Sequence, residues 1–152
     1  MALQMKVIEG HPEEQSGVNV GWDDYRVSRN GLWTDGIGPC LAIALYAPEV
    51  GKGALAHISG QKNIPYLTEA VYPENIVTTL LSQIGDYQIE AVLAGESERP
   101  IKISDRIKKD LLSLQIPIVG EDLGDVGYRG REVHFNCRTG EIQVYRLPSQ
   151  IF

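Results

Sequence analysis

Cys40 and His57 are the two residues of this chain whose types and spacing could do chemistry together. Cys40 opens the apolar run "LAIALYA" (41–47), and His57 lies near the end of "GALAHIS" (53–59). The linking "PEVGK" supplies a proline and a glycine where a strand pair would turn. If the two runs are neighbouring antiparallel strands turned near Val50, the residue facing Cys40 falls within one or two places of His57. A thiol beside an imidazole is the minimum unit of cysteine nucleophilic catalysis: the imidazole takes the proton, the thiolate attacks a carbonyl carbon, and the imidazolium protonates the leaving group. The spacing is equally open to a plainer reading, a small buried thiol flanking a strand and a histidine satisfied at the end of the next.

The elements that must position this pair follow from periodicity. "VNVGWDDYRVS" alternates enough for a strand with Trp22 and Tyr25 half buried, while residues 1–30 as a whole are the least regular part of the chain. In "PENIVTTLLSQI", Ile76, Val77, Leu80, Leu81 and Ile84 share a helical face, and Pro73 and Glu74 suit its first turn. "YQIEAVLAG" is a strand ending in glycine. Ser104 is placed to cap a second helix, "DRIKKDLLSLQI", with Ile107, Leu111 and Leu114 as its stripe and Pro117 as its stop. "IPIVGED" is a short strand, "LGDVGYRG" a glycine-rich loop, and "REVHFNCRTGEIQVYRL" a hairpin turned at "CRTG". The expected fold class is α+β: a layered sandwich of mixed, largely antiparallel β-sheets flanked by two main helices, which cover sheet faces otherwise open to water.

Composition narrows the function. With 152 residues, 43% hydrophobic and 22% charged, the chain is the size of one ordinary domain, and 1–152 is read as such. The net charge of −6 and the absence of any basic run exclude a nucleic-acid backbone as partner. No apolar run approaches the length of a membrane span or signal peptide, so the expectation is a cytoplasmic protein without membrane insertion, its two cysteines free thiols.

The residues around the pair carry more than spacing. Thr-x-Gly-x-Gly-x-Cys (34–40), an apolar strand, Tyr-x-Pro, a glycine-bearing turn and Gly-x-x-Ala-His (53–57) resemble the chemoreceptor glutamine deamidase family, CheD. "LLSLQIPIVGEDLGDVGYRGREVHFNCRTGEIQVYRL" is similar to that family's closing segment, and together the blocks span roughly residues 32–147, the family-like core. The resemblance implies an α/β layered sandwich that converts glutamine side chains on a chemoreceptor's cytoplasmic region to glutamate, that can hydrolyse glutamate methyl esters there, and that in some members binds a chemotaxis phosphatase. By matching position it implies Cys40 as nucleophile, His57 as general base and acid, and Thr34 as the residue that orients the imidazole, acting through a thioester without metal or cofactor. Gly36, Gly38, Pro39 and Ser59 are expected around the substrate pocket and oxyanion loop, with the backbone N–H groups around Gly38 and Cys40 as the nearest donors and the two glycines leaving room for a sharp bend and a substrate backbone. Pro39 stands where the family usually has a small hydroxyl residue, and proline contributes no N–H. "GQKNIPYLTEAVYPENIV" and "AGESERPIKISDRI" also depart from the family pattern.

Other motifs carry less. The Gly-x-Gly of "DGIGP" has no third glycine and no following helix, which argues against a dinucleotide site. His134 and Cys137 (H-x-x-C) have no second pair at ligand spacing, and His11 falls in a polar loop. Two functions of different class remain: a cysteine-dependent protein-glutamine deamidase, and a non-catalytic module on the same scaffold that binds a receptor or a chemotaxis phosphatase.

Overall fold

The computed structural model describes residues 2–59, 75–97, 103–124 and 128–148. Among the described residues ten strands and two helices follow one another as β1 (Gln4–Glu9), β2 (Val18–Asn19), β3 (Asp24–Ser28), β4 (Gly31–Ile37), β5 (Leu41–Ala47), β6 (Lys52–Ile58), α1 (Ile76–Ile84), β7 (Glu90–Gly95), α2 (Ile103–Ser113), β8 (Ile118–Leu123), β9 (Tyr128–Asn136) and β10 (Glu141–Pro148). They form two five-stranded sheets, a central one ordered β3-β6-β5-β7-β8 and an outer one ordered β1-β10-β9-β4-β2. Most pairings are antiparallel; β1 with β10, β2 with β4 and β7 with β8 are parallel. This is the α+β sandwich of mixed sheets expected from the sequence.

The alternation of side chains on β5 explains the layering. All seven of its residues are buried, because the strand is covered on both faces. Leu41, Ile43 and Leu45 face one apolar cluster with Ala54, Ala56 and Ile58 of β6, Ile76, Val77, Leu80 and Ile84 of α1, and Ile107 and Leu111 of α2. Ala42, Ala44 and Tyr46 face a second cluster with Leu55, Val92 and Ala94, closed from the other side by Leu32, Val133, Phe135, Ile142 and Val144 of the outer sheet. The helices therefore cover one face of the central sheet, and the outer sheet covers the other. Each fully buried leucine or isoleucine in these layers is worth about 1.5–3 kcal/mol. Small residues set the spacing between sheets: a side chain at Gly53 would meet the Phe135 ring at 2.6 Å and the Cys137 sulfur at 2.8 Å.

Several sequence expectations are corrected. Residues 2–30 supply three strands between irregular stretches, and β1 is legible only through its parallel pairing, Gln4 with Glu141 through Glu9 with Arg146. Trp22 is 42% exposed and sits in the turn before β3 rather than on the strand. Leu114 lies past the end of α2 and is 45% exposed; Ile116 enters the core in its place. Ser104 is the second residue of α2 rather than its cap, and its backbone N–H donates to the Glu96 carboxylate at 2.9 Å. An acidic side chain from the end of β7 thus does the capping work at a helix start. Pro73 and Glu74, expected in the first turn of α1, lie outside the described residues, as does the centre of the glycine-rich loop at 125–127.

The tightest backbone approach is at Gly95, where β7 ends. Its φ is +132°, and a Cβ there would lie 2.3 Å from the carbonyl oxygen of Cys40. Gly95→Ala therefore meets both an unfavourable backbone conformation and a backbone clash. The expected result is a loss of roughly 1–3 kcal/mol in chemical denaturation, and a stability unchanged from wild type would contradict this packing.

Candidate functional site

Thr34, Cys40 and His57 come from three strands and meet at one end of the layer between the sheets. In the ladder of β5 with β6, Ala42 pairs with His57 and Leu41 with Ile58. On the other flank Leu41 pairs with Gly95, and the Cys40 carbonyl accepts the Glu96 N–H at 2.8 Å, so the strand geometry continues through Cys40. Alternation then puts Cys40 across from Ser59 and on the same face as Ala42 and His57, one step along the diagonal from the imidazole. The expected register, with His57 within two places of the residue facing Cys40, is the one the strands adopt. Cys40 is 6% exposed and His57 3%.

Thr34 reaches the imidazole from the outer sheet. Its Oγ1 lies 2.8 Å from His57 Nδ1 and 2.7 Å from the Val20 carbonyl oxygen. A hydroxyl has one proton and a carbonyl can only accept, so the Thr34 O–H donates to Val20. The contact with His57 is then a hydrogen bond only if Nδ1 carries its own proton and donates it to Thr34 Oγ1. The network thereby assigns the neutral tautomer with its lone pair on Nε2. Nε2 is buried and makes no hydrogen bond among the described residues. An unprotonated ring nitrogen on the face that Cys40 shares is the form a general base requires.

Electrostatics favour the same form. Burial of the ring is the largest influence and lowers the His57 pKa below 6.5, while Asp23 and Asp35 pull it back upward. By contrast Cys137, fully buried between the sheets, is pushed up to about 12 by burial despite the Gly53 backbone N–H, and is a packing residue. His134 and Cys137 do not converge. His134 Nε2 pairs with Glu132 Oε2 at 2.6 Å beside Tyr145, and Cys137 belongs to the inner core.

The segment before the nucleophile candidate is shaped by a bulge. Thr34 pairs with Val133 but Ile37 with Arg131, leaving an extra residue at Asp35–Gly36, and Gly36 has a φ of +67°. Gly36 is exposed and serves this kink. The Gly38 N–H donates to the Gly36 carbonyl at 3.0 Å, and Pro39 is exposed. The Gly38 carbonyl accepts the Ser97 N–H at 3.0 Å. Ser59, past the end of β6, is 3% exposed and is held by Asp23, whose Oδ1 accepts its N–H at 2.9 Å.

Sequence reasoning missed the frame that holds this segment. Arg131, 1% exposed, donates to Asp122 at 2.9 Å, to the Gly95 carbonyl at 3.2 Å, to Ser97 Oγ at 3.1 Å and to the Gly124 carbonyl at 2.8 Å. Arg146 also pairs with Asp122. Burial would raise the Asp122 pKa, but hydrogen bonds and charge from both arginines outweigh it and hold it below 3.8. Because Glu96 and Ser97 carry the backbone donors to Cys40 and Gly38, the guanidinium fixes the chain on which the thiol segment hangs. The "GR" at 130–131 was a visible signal, though only of resemblance.

No protein-family model matches the chain. Individual relatives do. A protein of Archaeoglobus fulgidus named "Probable chemoreceptor glutamine deamidase CheD" is 33% identical over 150 aligned positions, covering 85% of this chain and 92% of the relative. The chain belongs to the CheD family. Proteins named "Chemoreceptor glutamine deamidase CheD" from Bacillus licheniformis and Thermotoga maritima are 29% and 28% identical, over 92% and 84% of this chain and 94% and 90% of their own lengths. Among the described residues of this CheD family member, no group of three or more His, Cys, Asp or Glu side chains is gathered to hold a metal ion, and no helix is long and apolar enough to cross a membrane.

The lowered pKa has a directional consequence. A buried neutral ring contributes stability that is present above 6.5 and is lost as pH falls from there through the folded-state pKa. The His57 imidazole should titrate below 6.5 by NMR. In Thr34→Val it should titrate lower still, because an Nδ1–H bond stabilises the cation more than the neutral ring, and the fold should lose about 1–3 kcal/mol from stranded buried polar groups. A His57 pKa above 6.5 would refute the assignment.

Proposed function

We propose that this CheD family member is a cysteine-dependent deamidase that converts glutamine side chains of a protein, the cytoplasmic region of a chemoreceptor, to glutamate. The names of its relatives support the reaction and substrate class. The observation that carries the roles is the Thr34–His57 hydrogen bond, which leaves a proton-free Nε2 on a ring that shares its face of the sheet with Cys40. Residues 32–147 form the family-like core of one domain, and residues around Gly36, Gly38, Pro39 and Ser59 shape the pocket.

His57 Nε2 takes the Cys40 thiol proton, and the thiolate attacks the carboxamide carbon, forming a C–S bond. The resulting oxyanion needs backbone donors. Pro39 has no N–H and that of Gly38 is donated to Gly36, which narrows the donors expected from the sequence. Collapse of the intermediate breaks the C–N bond, and the proton on Nε2 leaves with ammonia. His57 then takes a proton from water, whose oxygen attacks the thioester; the C–S bond breaks, glutamate is released, and the proton returns to sulfur. Throughout, Nδ1–H stays bonded to Thr34, which keeps the ring from turning. No metal or cofactor enters this scheme.

The reduced set of oxyanion donors is the observation that favours the second reading, a non-catalytic module binding a receptor or a chemotaxis phosphatase. Incubating a glutamine-bearing receptor segment with wild type and with Cys40→Ala decides between them. The deamidase predicts a gain of about one mass unit per converted glutamine, as amide nitrogen is replaced by oxygen, that is absent from the variant. Retained binding with no gain from either protein favours the module.

A further inference from the structure

Asp23 is a buried carboxylate that the scheme above does not use. It is 6% exposed, has a left-handed φ of +52°, and spends both oxygens on one residue: Oδ1 accepts the Ser59 N–H at 2.9 Å and Oγ–H at 3.0 Å, and Oδ2 accepts Oγ–H at 2.8 Å. A non-glycine residue held in this backbone region is maintained by its surroundings at some cost. Its position explains what is gained. Asp24 pairs with His57 across β3 and β6, and Ala42 pairs with His57 across β5 and β6. At this end of the central sheet the β5–β6 register places Ser59 across from Cys40, and the β3–β6 register places Asp23 across from Ile58, from where its carboxylate reaches one residue along to Ser59. Asp23 is also close enough to raise the His57 pKa.

Proton counting gives Ser59 a fixed polarity. Its single hydroxyl proton is directed at the Asp23 carboxylate, so toward any third group Oγ can act only as an acceptor, strengthened by the negative charge behind it. A glutamine carboxamide brings two N–H donors to the carbon attacked by Cys40. A glutamate methyl ester brings an ether oxygen and a methyl group there, with no donor. We propose that Ser59, oriented by Asp23, is the specificity residue that makes this site favour carboxamides over methyl esters, by accepting an N–H of the substrate amide and of the departing ammonia. The preference is expressed mainly as the C–N bond breaks and the nitrogen gains positive charge, so it appears in kcat for the amide more than in KM. A site built to bind a substrate N–H discriminates against an analogue that lacks it.

This inference rests on the deamidase reading, and its test separates the two. One receptor segment is prepared with a glutamine, and again with a glutamate γ-methyl ester at the same position, and kcat and KM are measured for wild type, Ser59→Ala, Asp23→Asn and Ser59→Thr. Ser59→Ala should lower the amide-to-ester ratio of kcat/KM roughly tenfold, with the loss in amide kcat. Asp23→Asn should lower the ratio too, because its amide can donate to Oγ and turn the hydroxyl into a donor toward the ester oxygen. Ser59→Thr, which keeps the hydroxyl, should keep the ratio. A ratio unchanged in Ser59→Ala and Asp23→Asn, or amide and ester rates that fall together, overturns the role of Ser59 while leaving the deamidase standing. A wild type that hydrolyses neither substrate overturns the deamidase and this inference with it.

Discussion

One hydroxyl proton organises the interior of this protein. Thr34 belongs to the outer sheet and His57 to the central sheet, and their 2.8 Å contact crosses a layer filled mainly by apolar side chains. In such surroundings a polar group without a partner is costly, so the pair is held to one geometry. Because Thr34 gives its proton to Val20, the imidazole must supply the other, and the ring is left with its lone pair facing the side of the sheet that carries Cys40. The relative placement of two sheets thus sets the protonation state of one side chain.

The same logic recurs at the neighbouring hydroxyl. Ser59 gives its proton to Asp23 as Thr34 gives its own to Val20. Neither hydroxyl chooses its role in response to what approaches; each is committed beforehand by a buried acceptor. Backbone contacts from Glu96 and Ser97, stapled by Arg131, commit the thiol segment in the same way. Preorganisation of this kind is what separates a set of reactive residues from a site.

What could be read from the sequence was what lies close along it or repeats with a regular period. Both helices, the β5–β6 pair and the final hairpin followed from apolar spacing and turn residues, and Cys40 and His57 could be placed by counting through one turn. The rest of the outer sheet was hidden because its pairings are remote: β4 finds β9, and β1 finds β10, with nothing local to announce either. "MKVI" looks unremarkable until Val144 and its neighbours supply the other side. The role of Thr34 came only from resemblance, since a threonine 23 residues before the histidine it meets has no periodic signature, and Asp23 and Arg131 were invisible because their partners arrive from distant segments. Leu114 misled for the opposite reason: the helical period continued past the point where the helix stops.

The remote pairing of the outer sheet also orders the assembly of the molecule in time. β3, β5, β6 and β7 lie between Asp24 and Gly95, so most of the central sheet can pair within that stretch. Thr34 lies in the same stretch, yet its strand is held by β9, which spans Tyr128–Asn136. Closing so long a loop is slow compared with making the local strand pairs. During folding the thiol and the imidazole therefore come together first, on a sheet whose second face is still wet, and the threonine that fixes the ring arrives with the late hairpin. The polarity of the imidazole is among the last things the chain acquires.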